Sequence, residues 1–277
     1  MLSKVSSYKL LIPIELLEYT AKHQLYKPCL LYIYLKCHSS GKVKSTDPIF
    51  QLLRTLPGFE DKRTLTKHLR TLLRLNWIGF NPTTNIYFIR SFETIRKSYG
   101  FTSRKSVVFH YNHITDFRPF ISGALICAKI YGVKFAYEIA RLRRLNTAPN
   151  KKDGAKQCYS YDRKAPEYYG LSNKGIAQLL YCSPTIACEQ KNAAEEADFL
   201  LTRGKYKVVL ELDRPDQAIR SQLEERYPNL KGRLRFSRLG DKIQLRQQLH
   251  DEIIPQLKLK KRRKISKEFF TSHKTPS

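Results

Sequence analysis

The stretch KRTLTKHLRTLLRL, residues 62–75, decides how the first third of the chain is read. At 100° per residue, Leu65, Leu69, Leu72 and Leu73 fall in a stripe about 100° wide, broad enough to dock on a core. The opposite face gathers Arg63, Lys67, Arg70, Thr71 and Arg74, with Thr64 and His68 flanking it. The spacing predicts a helix that starts near Asp61 or Lys62. WIGF (77–80) and IYFIR (86–90) follow as β-rich runs, parted by the turn cluster Asn81-Pro-Thr-Thr-Asn85.

Working outward, PCLLYIYLKCHS (28–39) reads as a helix opened by Pro28 and ended before Gly41. Asp47 caps a shorter helix that runs from Pro48 to the Pro57-Gly58 break. A strand is expected at 106–111 and a long helix at 118–145. Residues 146–168 lack hydrophobic periodicity and read as a loop. Beyond them, LSNKGIAQLLY (171–181) and CSPTIACEQKNAAEEADFLL (182–201) form a second helix pair. YKVVLEL (206–212) is strand-like, DRPDQAIRSQLEERY (213–227) helical, and RLRFSRL with KIQLRQQL flank Gly240-Asp241 as a hairpin.

The chain holds 51 Lys and Arg against 24 Asp and Glu, a formal charge of +27 that calls for a polyanionic partner. The excess is uneven. Residues 1–100 hold 16 cations against 6 acids, 101–170 hold 13 against 5, 171–257 hold 14 against 12, and 258–277 hold 8 against 1. Arg and Lys on an outward helix face can donate to guanine O6 and N7, and Thr can contact a base edge. The run Lys258, Lys260, Lys261, Arg262, Arg263 and Lys264 reads as a disordered, sequence-blind phosphate clamp.

In element order, residues 28–90 resemble the winged helix-turn-helix superfamily, with 62–75 as recognition helix and Trp77 and Ile78 under the wing. Residues 172–198 resemble a second such motif. Ser172 and Ser183-Pro184 are helix starts, but Tyr181 stands where the family usually has glycine. The resemblance places Thr185, Lys191 and Asn192 on an outward face and Arg203 and Lys205 on a wing. It implies a mainly α fold with small β-wings, as two tandem winged-helix domains and a basic tail. The domains are 1–100 and 171–257, joined by a connecting helix and loop at 101–170 and followed by the tail at 258–277. It also implies a double-stranded DNA partner, with a second copy of the chain as a further candidate. The tandem arrangement is similar to replication initiators of plasmids and mobile elements. A transcriptional regulator is the rival role, and RNA binding the rival class.

Catalysis has little to stand on: the sequence has no glycine-rich phosphate loop and no H-E-x-x-H. Tyr159, Tyr161, Tyr168 and Tyr169, with His110 and His113, are the residues from which a nicking activity would have to be built. The expectation is a protein that is no enzyme, takes no cofactor, metal or small-molecule substrate, and lies in the cytoplasm with the nucleoid. No secretory leader is read at the start. FISGALICAKIYGVKFAYEIA (120–140) carries Lys129, Lys134 and Glu138, and reads as a buried soluble helix rather than a membrane span. Cys29, Cys37, Cys127, Cys158, Cys182 and Cys188 lack metal spacing and are expected as reduced thiols. The charge makes one expectation quantitative. If about six phosphates are neutralised, affinity for a mixed-sequence duplex should fall roughly 10³-fold between about 50 and 200 mM salt. A flat salt response in a binding titration would remove the polyanion reading.

Overall fold

The computed structural model describes residues 9–56, 58–147 and 169–261. The chain opens with strand β1 (Lys9–Pro13) and helices α1 (Ile14–Lys22) and α2 (Tyr26–His38). Then come β2 (Lys42–Lys44), α3 (Ile49–Leu53), α4 (Lys62–Arg74), and the hairpin β3 (Ile78–Asn81) and β4 (Ile86–Ile89). Helix α5 (Phe92–Tyr99) and strand β5 (Lys105–His110) lead to the long α6 (Phe117–Thr147). The second half holds β6 (Tyr169–Gly170), α7 (Asn173–Leu180), α8 (Pro184–Glu196), β7 (Leu200–Leu212) and α9 (Gln217–Arg226). It closes with β8 (Leu234–Leu239), β9 (Lys242–Pro255) and β10 (Leu259–Lys261).

This corrects the expected fold class. The described residues are about 50% helical and 25% strand, with ten strands in three antiparallel sheets, an α/β fold rather than a mainly α one with small wings. One sheet joins β1, β5 and β10, the second has the order β2-β4-β3, and in the third β9 lies between β7 and both β6 and β8. The sequence reading missed much of the strand content because it stopped strands where the letters suggest breaks. Strands β7 and β9 run on through residues that look like breaks: Gly204 in one, His250-Asp251-Glu252 in the other. Pairing with each other over almost their whole length supplies the hydrogen bonds that neither run's letters advertise. The stretch from Lys258, expected as disordered, includes β10, whose Leu259 and Lys260 pair with Val107 and Ser106 of β5.

One hydrophobic core runs from Ile12 to Ile253 and takes in both halves. Helix α6 is its spine. Phe120, Ile121, Ala124, Leu125, Ile126 and Cys127 are all buried, between α1 and α2 on one side and α7 and α8 on the other. By length and composition, Phe117–Tyr137 is the one described helix able to cross a membrane, and half of it is buried inside the protein. The approach of α8 is close because the facing residues are small: Ala187 and Ala194 on α8, Gly123 on α6. Ser122 Oγ donates to Gln190 Oε1 at 2.7 Å across this seam. A second, smaller cluster of Leu230, Leu234 and Leu245, with Leu223 and Phe236, lies under α9.

Aromatic packing fixes α4 to the rest. Trp77, fully buried, lies 5.5 Å from the Tyr32 ring, and its indole N–H donates to Tyr99 at 3.2 Å. Tyr99 in turn donates to the Leu75 carbonyl at 2.9 Å, which ties the end of α4 to α5. The five described cysteines are free thiols, and Cys158 lies outside the described residues. Packing at Gly123 can be tested directly. A Cβ there would stand 2.7 Å from the Phe199 Cβ, which no side-chain rotation relieves. Overpacking of about 1–3 kcal/mol should outweigh the roughly 1 kcal/mol that alanine gains in helix propensity. Gly123→Ala should therefore lower the melting temperature, and an unchanged or raised one would contradict the close packing of α6 against Phe199.

Candidate nucleic-acid interface

Helix α4 is built to hold its orientation. The Asp61 carboxylate caps it, accepting from the backbone N–H of Arg63 and of Thr64, each at 3.1 Å. Asn76, at φ +54°, ends it in the left-handed conformation that asparagine tolerates. Leu65, Leu69 and Leu72 are buried. Rotation about the helix axis is thereby fixed, and Arg63, Lys67, Arg70 and Arg74 all come out exposed on the far side. They line an open groove of about 800 Å³ together with Lys62, Thr66, Thr71 and, at its end, the capping Asp61. Between Lys62 and Arg74 there is no acid. Lys62 and Thr66 were not singled out in the sequence, although the i, i+4 step from Lys62 through Thr66 to Arg70 was there to be read.

The threonines have a defined chemistry. Thr66 Oγ1 donates to the Lys62 carbonyl at 2.8 Å and Thr71 Oγ1 to the Lys67 carbonyl at 3.0 Å. With their protons committed, these oxygens remain acceptors, suited to a base amino group rather than to a phosphate. Thr64 is half-buried, its hydroxyl 3.4 Å from the capping carboxylate. His68 turns away from the groove, its ring 5.8 Å from that of Phe59. Burial, together with the charges of Lys27 and Lys67, holds its pKa below the usual histidine value, which favours a neutral ring.

Beside α4, the β3–β4 turn is closed by Asn81 Oδ1, which accepts from Thr83 N at 3.0 Å. Its tip is polar and uncharged. In the turn before α4, the Glu60 carboxylate accepts from Gly58 N, and Arg54 donates to the Glu60 carbonyl at 3.1 Å.

The second helix pair presents different chemistry. Tyr181 takes the left-handed conformation at φ +54° where glycine would be usual, and its hydroxyl lies 3.2 Å from Glu18 Oε1. Helix α8 buries Ala187, Gln190, Lys191 and Ala194, so Lys191, only 5% exposed, is not on the outward face. Glu195 is also turned in, its carboxylate accepting from Thr202. What remains outward is Thr185, Ile186, Glu189, Asn192 and Glu196, with two acids and no cation. On β7, Arg203 is exposed and Lys205 pairs with Glu252 at 3.3 Å. Lys258 and Lys260 are exposed at and before β10, Lys261 ends that strand, and Arg262, Arg263 and Lys264 lie outside the described residues. No group of acids, histidines and cysteines able to hold a metal occurs among the described residues.

Compared with protein-family models, curated proteins and solved structures, the chain matches none. The interface therefore rests on its own geometry, and His68 offers a check on it. In the unfolded chain this ring titrates near pH 6.5, above its folded value. Its contribution to stability is then complete above about pH 6.5 and lost as pH falls through the folded pKa. Melting curves between pH 7.5 and about 5 should show the parent losing more stability than His68→Gln. Equal losses would place His68 in water, not against Phe59.

Proposed function

We propose that the protein is a sequence-specific double-stranded DNA-binding protein without enzymatic activity, with α4 as the reading helix of a winged-helix module. One observation carries the reading. Four exposed cations, Arg63, Lys67, Arg70 and Arg74, share one face of a helix whose other face is locked into the core, and no acid interrupts them. The order α2, β2, α3, α4, β3, β4, with β4 between β2 and β3, supports it. A helix fits the major groove, and a short uncharged hairpin beside it can follow the backbone through hydroxyl and amide groups.

The pair α7–α8 takes a different part. Glu189 and Glu196 repel phosphate, so this half orients the protein through its packing on α6 rather than by reading bases. As its role we propose initiation of replication of a plasmid or other mobile element. A DNA fragment carrying the coding sequence and its flanks should then replicate where it otherwise does not. Loss of that ability on replacing α4 cations is expected, and repression of a neighbouring promoter without replication would favour a regulator.

The binding reading is tested by variants that fail in different ways. Lys67→Ala should shift stability by no more than about 0.5 kcal/mol, since the side chain is exposed. It should cost about 1–3 kcal/mol of binding if it contacts a base. Leu69→Ala should cost about 2–5 kcal/mol of stability and lose binding only through unfolding. Each variant needs a melting curve and a duplex titration. If Arg63→Ala, Lys67→Ala and Arg70→Ala all bind like the parent, α4 is an ordinary solvated face.

A further inference from the structure

The distal part of the third sheet carries a polar face that α4 and its module do not explain. Here β9 lies between β7 and β8, and the turn Gly240-Asp241 sets the register by pairing Leu239 with Lys242. Four residues further from the turn on each strand, Arg235 stands directly opposite Arg246. Side chains alternate across a sheet, so Leu234, Phe236 and Leu245 point to the small core under α9, while Arg233, Arg235, Ser237, Gln244 and Arg246 point the other way. Val208 of β7 faces Arg246 in the same row, and Tyr206, exposed, faces Gln248 in the next.

Like charges directly across an antiparallel pair destabilise it. The structure does not separate these two. Instead it fixes one of them: Arg246 donates to Gln244 Oε1 from Nε at 3.0 Å and from Nη2 at 2.6 Å. Gln244, itself buried, donates to Glu211 at 2.9 Å, and Glu211 is 3.7 Å from Lys242. Glu211, opposite Gln244 in the row beside the arginines, is thus engaged by Gln244 and Lys242. Next to it, Ser237 Oγ is buried with no hydrogen-bond partner. Two arginines held together, one of them pre-oriented, fit an anion that both can grip; guanidinium groups match phosphate oxygens better than a point charge does.

We propose that this face, centred on Arg235 and Arg246, is a second phosphodiester-binding surface, which holds a nucleic-acid backbone separately from α4. The proposal rests on the nucleic-acid reading of the protein but not on α4. Arg235, exposed and at the end of the pair, grips the phosphate, Arg246 presents its guanidinium from the Gln244 bracket, and Tyr206 flanks the path of the strand. Duplex and single-stranded DNA both carry the group recognised, and the test separates them.

The experiment compares the full chain with Arg235→Gln, titrated with a 30-base-pair duplex and with a 30-nucleotide single strand over a range of salt. Removing the repulsion should leave the melting temperature of the free protein equal or higher. Affinity should drop about five- to tenfold, with the salt slope shallower by about one unit. A loss confined to duplex assigns the surface to duplex, and one confined to the single strand assigns it there. Unchanged affinity and slope on both DNAs would overturn the proposal. Lys67→Ala run in parallel keeps the two sites apart. If it, Arg63→Ala and Arg70→Ala all bind like the parent while Arg235→Gln does not, the α4 reading falls and this one stands.

Discussion

Burial of α6 on two sides is the constraint on which the other elements depend. From Phe120 to Cys127 every residue of this helix is buried, which requires neighbours packed on more than one face. Helices α1 and α2 cover one side and α7 and α8 another, so halves that look like separate modules share one interior. The small side chains at Gly123, Ala187 and Ala194 let the backbones approach, and the Ser122–Gln190 hydrogen bond fixes the sliding register of α6 against α8. Buried polar pairs of this kind add little net energy but penalise every misaligned arrangement.

On that rigid base the charged surface divides into parts of distinct character. The α4 face has long cationic side chains on a capped, core-locked helix, with threonines positioned as acceptors. The α8 face is acidic outward and holds its own cation, Lys191, inside. The distal sheet pairs arginine with arginine. The two helix pairs thus carry opposite outward charge, cationic on α4 and acidic on α8.

Much of this was legible in the letters, and the failures have physical causes. The 3.6-residue recurrence of Leu65, Leu69 and Leu72 identified both the buried and the outward face of α4. The same reasoning misplaced Lys191. The true inner stripe of α8 is Ala187, Gln190, Lys191 and Ala194, and two of its four members are polar, so a search for apolar recurrence passes over it. The β1–β5–β10 sheet was hidden for another reason: its strands are short and gain their partners from segments far apart in the chain. The facing of Arg235 and Arg246 follows from the Gly240-Asp241 turn once the hairpin is taken as two residues long. A hairpin was read there, but the register was not followed out to the arginines.

The pairing of β10 with β5 bears on how the protein is made. Strand β5 finds β1 about 100 residues upstream and β10 about 150 residues downstream. As the chain leaves the ribosome, the β1 side of β5 can close early, while its other side stays open until β10 emerges. During that interval β5 offers a bare edge rich in valine and phenylalanine, the kind of edge that recruits strands from neighbouring chains. Sheets assembled from such distant segments form slowly. The three residues of β10 therefore act as a late clasp, and the time spent before it shuts is when nascent copies are most exposed to one another.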